Sequence, residues 1–484
     1  MTGVIMGGRT CVGKRRGACP LRFILHNAPM AYRTAPTPTP NMPSGIPYII
    51  GNEAAERFSF YGMRAILYAF MTTALITHEG AKDLMGGAEA SKWVHTFISA
   101  VYFTPLIGAL VADLWLGKYR TIILLSMVYC LGHLVLALDH TRTGLVLGLS
   151  LIAVGSGGIK PCVSAHVGDQ FGATNAHLLP RVFNWFYFAI NVGAAVSMLL
   201  TPWLLEHTNP HIAFGVPGIL MFIATVVFWM GRNTFIHIPA DPKGFMRELF
   251  AIRFLKNLGG LIFLYILIAA FWSVFDQTAS RWVAQAEKMD RHIFGFEVLP
   301  SQLQSVNSIF VLSLIPLFTL FLYPFVERFI KLTALRRIGA GFLVTAATLG
   351  VSMAIETWIS AGETPTIWWQ ILAYLLLTSA EILISITALE FSYTQAPHRL
   401  KSFIMGLYLM SVSLGNFFTA RVNAYIEKTS DGGLEGAAYY GFFLKVLLVT
   451  FTIFLVTSLF YKEQRYIQEE SLDQPDDPSE APNV

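Results

Sequence analysis

Residues 47–64 read PYIIGNEAAERFSFYGMR, and this stretch decides how the rest of the chain is interpreted. It begins an apolar run long enough to cross a membrane, yet it contains four ionisable side chains, those of Glu53, Glu56, Arg57 and Arg64. Such a side chain near the centre of a bilayer costs at least about 2.5–3.5 kcal/mol, so it normally faces a water-filled cavity or a partner. With 3.6 residues per turn, most of these charges share one helix face with Tyr61. The pattern predicts a membrane helix with one polar side that lines a cavity.

The composition indicates an integral membrane protein. Of the 484 residues, 54% are hydrophobic and 13% are charged, whereas a soluble chain carries about a quarter charged residues. The composition therefore disfavours the alternative of a soluble amphipathic helix held by a Glu-to-Arg pair. The net charge of +4 is small, and we expect no nucleic-acid partner. The cysteines show no paired spacing, so we predict no disulfide framework, no metal site and no cofactor. They are Cys11, Cys19, Cys130 and Cys162.

Twelve apolar runs are long enough to cross a bilayer. They lie near residues 47–76, 91–114, 120–139, 144–168, 180–204, 212–231, 257–284, 303–326, 332–355, 367–393, 402–427 and 436–461. We therefore predict an all-α integral membrane fold, with twelve transmembrane helices in two six-helix bundles at 47–231 and 257–461. Pro105 and Pro316 fall at matching points of the second and eighth runs, which favours a duplicated architecture.

The segments outside the two bundles are polar. The linker at 232–256 is predicted to contain a short amphipathic helix, and the tails at 1–46 and 462–484 are predicted to be disordered. Lys and Arg residues concentrate in the loops on the side of the N terminus, which predicts that both termini are cytoplasmic. The expected location is the plasma membrane, or the inner membrane of a bacterium. The expected state is a monomer.

Two basic side chains lie deep inside predicted spans. His95 is either a neutral imidazole bonded to a neighbouring group or a proton acceptor, since histidine titrates near neutral pH. Lys160 follows three glycines within residues 154–160 and precedes a helix-breaking proline. Because it lies too deep to reach the headgroups easily, this ammonium beside flexible backbone indicates the lining of a cavity.

Further polar side chains lie in the later spans. Asn191 in the fifth either bonds a neighbouring helix or faces a cavity. Asp276 and Arg281 follow in the seventh, Asn307 in the eighth and Glu381 in the tenth. The deep acids and bases balance four against four: Glu53, Glu56, Asp276 and Glu381 against Arg57, Arg64, Lys160 and Arg281. A balanced cluster changes its net charge by taking up one proton, which predicts coupling of protons to a solute.

Three motifs resemble those of the proton-dependent oligopeptide transporters, a family of the major facilitator superfamily. Residues 53–62 look like the family's ExxERFxYYG stretch, residues 108–120 like its loop between helices 2 and 3, and residues 186–193 like its FYxxINxG motif. The resemblance extends from about residue 47 to residue 461. Phe60 stands where many members have tyrosine, and the linker is too short for the two additional helices of many bacterial members.

The resemblance implies a role for each deep polar residue. The implied peptide-binding residues are Arg57, Tyr61, Arg64, Tyr102, Lys160, Asn191, Asn307 and Glu381. Within this set, Arg57 and Lys160 match the residues that hold the peptide carboxylate, and Glu381 matches one that faces the amine. The implied proton-coupling residues are Glu53, Glu56, His95 and Asp276. Arg281 is assigned to the gate.

The predicted function is symport of di- and tripeptides with protons by alternating access. A peptide has a charge at each end, so it is expected to bridge a cationic and an anionic wall and thereby to bias the conformational equilibrium. One alternative is transport of another small anion such as nitrate, which related plant transporters carry. Two others are a polytopic membrane peptidase and a sensor without transport. We find neither a His-Glu-x-x-His nor a Gly-x-Ser-x-Gly motif inside a span, so no enzyme is predicted.

Overall fold

The computed structural model describes residues 32–460 except Thr37, Ala173, Ala251, 395–399 and 430–433. Both tails that were predicted to be disordered extend beyond this part of the chain. Residues 1–31 and 462–484 lie outside the described residues, as do Cys11 and Cys19.

The N-terminal half consists of six long helices. They are α1 (Ile46–Thr73), α2 (Gly87–Val111), α3 (Lys118–Leu138), α4 (Arg142–Asp169), α5 (Leu179–His207) and α6 (Pro210–Met230). A π turn at Ala112–Leu116 extends α2 beyond Pro105. The linker that follows α6 contains a short helix, α7 (Pro242–Leu249).

The C-terminal half also contributes six membrane helices, two of which are interrupted by a π turn. They are α8 (Ile252–Phe275), α10 (Ser305–Leu317) with α11 (Tyr323–Glu327), α12 (Ala334–Ser360), α13 (Trp368–Glu381) with α14 (Thr387–Thr394), α15 (Lys401–Lys428) and α16 (Ala437–Phe460). The π turns are Phe318–Leu322 and Ile382–Ile386. Between α8 and α10 lie the short helix α9 (Arg281–Ala286) and an antiparallel hairpin of β1 (His292–Ile293) and β2 (Phe296–Glu297).

The predicted fold of twelve membrane helices in two bundles is confirmed. In the described part of the chain, eleven helices satisfy a simple criterion of length and hydropathy for crossing a membrane. The twelfth, α1, does not satisfy it because of the charged side chains in residues 47–64. The two largest clusters of buried apolar side chains form the cores, one mainly in each half of the chain, and Ala279 and Val283 of the C-terminal half pack into the N-terminal one. The charges of α1 therefore lie inside a packed protein and not on its lipid-facing surface.

The seventh membrane helix differs from its predicted extent of 257–284. It begins earlier, at Ile252, and its regular turns end at Phe275, where Asp276–Ala279 form a 3₁₀ turn. Two side chains of this turn donate hydrogen bonds to backbone carbonyls: Gln277 to Ser273 O at 2.8 Å and Thr278 to Phe275 O at 2.9 Å. Such local bonds compete with regular helix geometry. They leave Asp276 at a helix break, close to the other half of the molecule.

The glycines before Lys160 do not line a cavity, contrary to the sequence-based interpretation. A Cβ atom on Gly157 would lie 2.2 Å from Thr104 Oγ1, and one on Gly158 would lie 2.0 Å from Leu125 Cδ1. From the opposite side, a Cβ atom on Gly108 would lie 2.4 Å from Gly158 Cα. The glycines therefore allow the backbones of α2 and α4 to approach closely, which brings Lys160 towards α2.

Replacing Gly108 with alanine is expected to destabilise the protein. The added methyl group meets the backbone of α4, which has no flexible end to move aside, and overpacking of this kind costs typically about 1–3 kcal/mol. We expect a lower midpoint of thermal unfolding in detergent. Gly215→Ala on α6 is the matched control, because nothing lies within 4 Å of the added Cβ atom. Equal midpoints for the two variants would contradict the close approach of α2 and α4.

Candidate functional site

A cavity of about 160 Å³ lies between the two halves of the protein. Seven of the predicted site residues line it: Tyr61, Arg64, Tyr102, Asn191, Asp276, Asn307 and Glu381. The structure thus brings together side chains from both halves that are far apart in the sequence. We call the membrane side where α1 begins the near side, and the side where α1 ends the far side.

An ion pair between the halves borders this cavity. Arg64 Nη2 on α1 lies 2.6 Å from Asp276 Oδ1, and both residues are buried. Breaking a buried pair by removing one partner is strongly destabilising, because the other charge is then left uncompensated. The Arg64–Asp276 pair therefore holds the halves together at this level of the membrane.

Asn416, which was not among the predicted site residues, links the predicted proton-coupling residues His95 and Asp276. Asn416 Nδ2 donates to Asp276 Oδ2 at 2.6 Å, and Asn416 Oδ1 lies 2.7 Å from His95 Nδ1. The second ring nitrogen of His95 lies 2.9 Å from Ser280 Oγ. His95 thus reaches Asp276 through an amide instead of pairing with it directly. Asn416 lies deep in the predicted eleventh span. The same signal that indicated Asn191, an amide side chain deep inside an apolar run, could have indicated it.

Further bonds between the halves lie on the far side of the cavity. They are Lys92 Nζ to Glu427 Oε2 (2.6 Å), Ser413 Oγ to Ser99 O (2.8 Å), Gln304 Nε2 to Ala65 O (3.2 Å) and Gln302 Nε2 to Leu199 O (2.8 Å). Together with the Arg64–Asp276 pair and the bonds of His95, they form a seal, which we call the far-side seal. The cavity is therefore closed towards the far side in this conformation.

Replacing Asn416 with alanine is expected to loosen the far-side seal. The change leaves Asp276 Oδ2 and a ring nitrogen of His95 without their partner, and each unpaired buried polar group costs about 1–3 kcal/mol. We expect about tenfold faster amide exchange in α9, measured by hydrogen–deuterium exchange with mass spectrometry. Asn209→Ala, which removes only the cap of α6 on the far side, is the control. Unchanged exchange in α9 would show that Asn416 does not hold the seal.

Arg57 forms a buried triad with the two acids of its own helix. Its Nε atom lies 2.6 Å from Glu53 Oε1 and 3.1 Å from Glu56 Oε2. With one base and two acids, the triad has a net charge of −1 when both acids are ionised. In this conformation Arg57 does not belong to the lining of the cavity, so of the two arginines on α1 only Arg64 faces it.

Lys160 lies between two aromatic rings next to the triad. Its Nζ atom is 3.8 Å from the centroid of the Phe60 ring and 4.4 Å from that of Tyr102. Among the described residues, the ammonium has no hydrogen-bond partner and no acid within ion-pairing distance. Phe60, the position at which the resemblance predicted a tyrosine in many family members, thus supplies a ring face to the cation. Because Tyr102 also lines the cavity, only one ring separates Lys160 from it.

Glu381 supplies the negative charge on the wall of the C-terminal half. Its Oε2 atom accepts a hydrogen bond of 2.8 Å from Asn307 Nδ2, which also donates to Thr378 Oγ1 at 3.1 Å. Glu381 is the last residue of α13 before the π turn, a distortion that occurs frequently at functional sites. No basic side chain of the described residues pairs with it.

The two remaining predicted site residues, Asn191 and Arg281, have hydrogen-bond partners within their own half of the protein. Asn191 Nδ2 donates to Tyr187 O on its own helix at 2.9 Å, and both residues line the cavity. Arg281 lies beyond the far-side seal, where its Nη2 atom donates to Asn423 Oδ1 at 2.7 Å and its guanidinium lies 4.6 Å from the centroid of the Tyr439 ring. All these partners of Arg281 belong to the C-terminal half.

Comparison with known proteins identifies the family. The family model PTR2, described as the POT family, matches residues 119–255 and 246–442. Human solute carrier family 15 member 2 is 37% identical over 384 residues, which are 68% of this chain and 51% of that protein. Peptide transporter family 1 of Drosophila melanogaster is 36% identical over 361 residues, which are 65% of this chain and 48% of that protein. The chain thus spans about half the length of the curated relatives it matches.

A solved structure of the same family matches this chain over nearly the whole length of the solved protein. The crystal structure of the POT family transporter PepTSo is 36% identical, covers 88% of this chain and 99% of the other, and superposes with a TM-score of 0.78. From the match to the family model and this structural agreement, we conclude that the chain belongs to the POT family of membrane transporters.

Proposed function

We propose that this protein is a symporter that takes up di- and tripeptides together with protons by alternating access. The main support for this proposal is the cavity between the halves. Arg64 lies on one of its walls, with Lys160 behind Tyr102 on the same side, and Glu381 lies on the other wall. A peptide is a zwitterion with an ammonium at one end and a carboxylate at the other. It complements both walls and links the halves, so its binding energy favours the closed state.

Most of the predicted residues have a place in this proposal. Glu381, with Asn307 and Asn191, receives the peptide ammonium, and Lys160 and Arg64 attract its carboxylate. Tyr61 and Tyr102 line the space between them. Proton binding at the Glu53–Glu56–Arg57 triad or at Asp276 removes a negative charge, which weakens the ion pair that the acid makes. One proton can thereby release a basic partner or open the far-side seal.

The proposal also includes the location, the orientation and the oligomeric state of the protein. The protein resides in the plasma membrane, both termini are cytoplasmic, and the far side is therefore the outer side. The protein works as a monomer, because each chain contains a complete cavity.

Glu381 disfavours the alternative of nitrate as the substrate, because a carboxylate on the cavity wall repels a small anion. The related proteins described above are transporters, which disfavours a peptidase.

The test is uptake of radiolabelled dialanine into proteoliposomes under an inward proton gradient. We expect accumulation above the external concentration, and its loss when a protonophore collapses the gradient. Unlabelled dipeptide should compete with the label, and nitrate should not. Equal uptake with and without the gradient would refute proton coupling, and competition by nitrate alone would refute the assignment of the substrate.

A further inference from the structure

A second cavity, of about 330 Å³, lies beyond the far-side seal. We call it the vestibule. It is lined by Tyr68, Gly87, Ala88, Arg281, Ala284, Gln285, Glu287, Lys288, Glu356, Glu435, Gly436, Tyr439 and Tyr440. The first three residues come from the N-terminal half and the others from the C-terminal half, so the vestibule spans the boundary that must open for a solute to pass. Glu287, Lys288 and Glu435 are exposed, which shows that the vestibule opens to the far side.

Glu356 on α12 is the unusual group in the vestibule. Only 8% of the residue is exposed, yet no basic side chain of the described residues lies within ion-pairing distance of it. An uncompensated buried charge is strongly unfavourable, and an unpaired acid inside a membrane protein suggests a functional site. An acid buried at the edge of an open cavity is suited to bind a cation that arrives from outside.

Other side chains hold Glu356 in a fixed orientation. Gln285 Nε2 donates to Glu356 Oε1 at 3.0 Å and to Ser352 O at 3.1 Å, and Gln285 is itself buried. Gln370 Nε2 donates to Trp282 O at 2.9 Å and lies 3.4 Å from Gln285 Oε1. This network fixes the amide that binds one carboxylate oxygen. The carboxylate is therefore preorganised before any ligand arrives.

Cationic groups line the same vestibule. Arg281 is held by Asn423 and Tyr439, and Lys288 lies at the mouth. The vestibule thus has both acids and bases on the walls around an open space, as the central cavity has: Glu356, with the exposed Glu287 and Glu435, and the bases Arg281 and Lys288. A ligand with one positive and one negative end complements both kinds of group, whereas a simple cation or anion satisfies only one.

We propose that the vestibule is a docking subsite for the zwitterionic peptide on its way to the central cavity. Glu356 binds the peptide ammonium, and Arg281 with Lys288 attracts the carboxylate. This proposal rests on the proposed function, since it takes the transported peptide as the ligand. Docking here raises the local concentration of peptide at the seal while the central cavity is still closed to the far side.

The experiment places a reporter in the vestibule of the full-length protein. Ala88 is replaced by cysteine and labelled with a trifluoromethyl reagent, and the ¹⁹F signal is followed during titration with dialanine. The unsubstituted protein, labelled in the same way, identifies signals from the native cysteines. The Glu381→Gln change is added to weaken binding in the central cavity. We expect a saturable shift of the signal that persists in this background, and no shift with N-acetyl-dialanine, which lacks the ammonium.

Variants of Glu356 then test the assignment. Glu356→Gln is expected to weaken the apparent affinity for dialanine at least fivefold, and Glu356→Asp is expected to restore most of it if the charge is what matters. Glu363→Gln, an exposed acid beyond the end of α12, is the matched control and should change the affinity less than twofold. Absence of a saturable shift, or a shift unaffected by Glu356→Gln, overturns the docking subsite.

These outcomes are separable from failure of the proposed function. If the unsubstituted protein accumulates dialanine but the vestibule reporter does not respond, only the docking subsite is wrong. If the protein does not transport dialanine at all, the proposed function is wrong, whatever the reporter does.

Discussion

Replacing Glu381 with glutamine is expected to lower the uptake efficiency for dialanine about 10- to 100-fold. Glutamine keeps the shape of the side chain and an oxygen that can accept from Asn307, so the local structure should persist. What is lost is the negative charge that we propose receives the peptide ammonium. Hydrogen bonds to charged groups contribute about 1.5–3 kcal/mol, which corresponds to the expected decrease. The measurement is the ratio of the maximal rate to the half-saturation concentration in proteoliposomes.

Glu390→Gln is the matched control for this experiment. Glu390 lies on α14, the continuation of the same membrane helix beyond the π turn, and is exposed outside the cavity. Its replacement should leave the uptake efficiency within about twofold. If the two variants were equally active, Glu381 would not be the ammonium-binding residue.

Replacing Lys160 with methionine is expected to abolish proton-driven accumulation while preserving exchange. The triad of Glu53, Glu56 and Arg57 has a net charge of −1, and the Lys160 ammonium nearby brings the cluster to zero. Without this cation, the triad compensates by retaining a proton, since a lone buried negative charge is costly. A cluster that keeps its proton cannot alternate between its protonated and deprotonated states, so it cannot couple protons to the peptide. We therefore expect accumulation against a gradient to fall at least tenfold.

Counterflow separates loss of coupling from loss of binding. At saturating dialanine, exchange across Lys160→Met proteoliposomes should remain measurable, because exchange needs no net proton movement. Lys445→Met is the matched control, since Lys445 also lies in a membrane helix but is exposed. Full accumulation by Lys160→Met would show that this lysine has no part in coupling.

The sequence predicted the fold well because the membrane allows few solutions. Backbone groups in a bilayer must be bonded within a helix or a closed barrel, so apolar runs separated by charged loops define the helices. The same constraint made Glu53, Arg57 and Glu381 conspicuous, since each is a charge in an otherwise apolar run. The predicted deep charges of α1, α4 and α13, and Asp276 in the turn after α8, lie at or next to one cavity or its seal.

What the sequence could not predict depends on contacts between helices. The link from His95 through Asn416 to Asp276 joins three helices, and no spacing within one helix indicates it. The glycines near Lys160 were interpreted as cavity lining, whereas their role in packing becomes visible only when Gly108 lies opposite them. Pattern alone also did not distinguish Arg57, which pairs with its own helix, from Arg64, which crosses to the other half.

The central claim is that one cavity couples peptide movement to proton movement. Its most direct test records both fluxes in the same proteoliposomes, with radiolabelled dialanine outside and a pH-sensitive dye inside. We predict that dialanine influx acidifies the interior, and that Glu381→Gln lowers both fluxes together while Glu390→Gln lowers neither. Dialanine influx without acidification of the interior would contradict the claim.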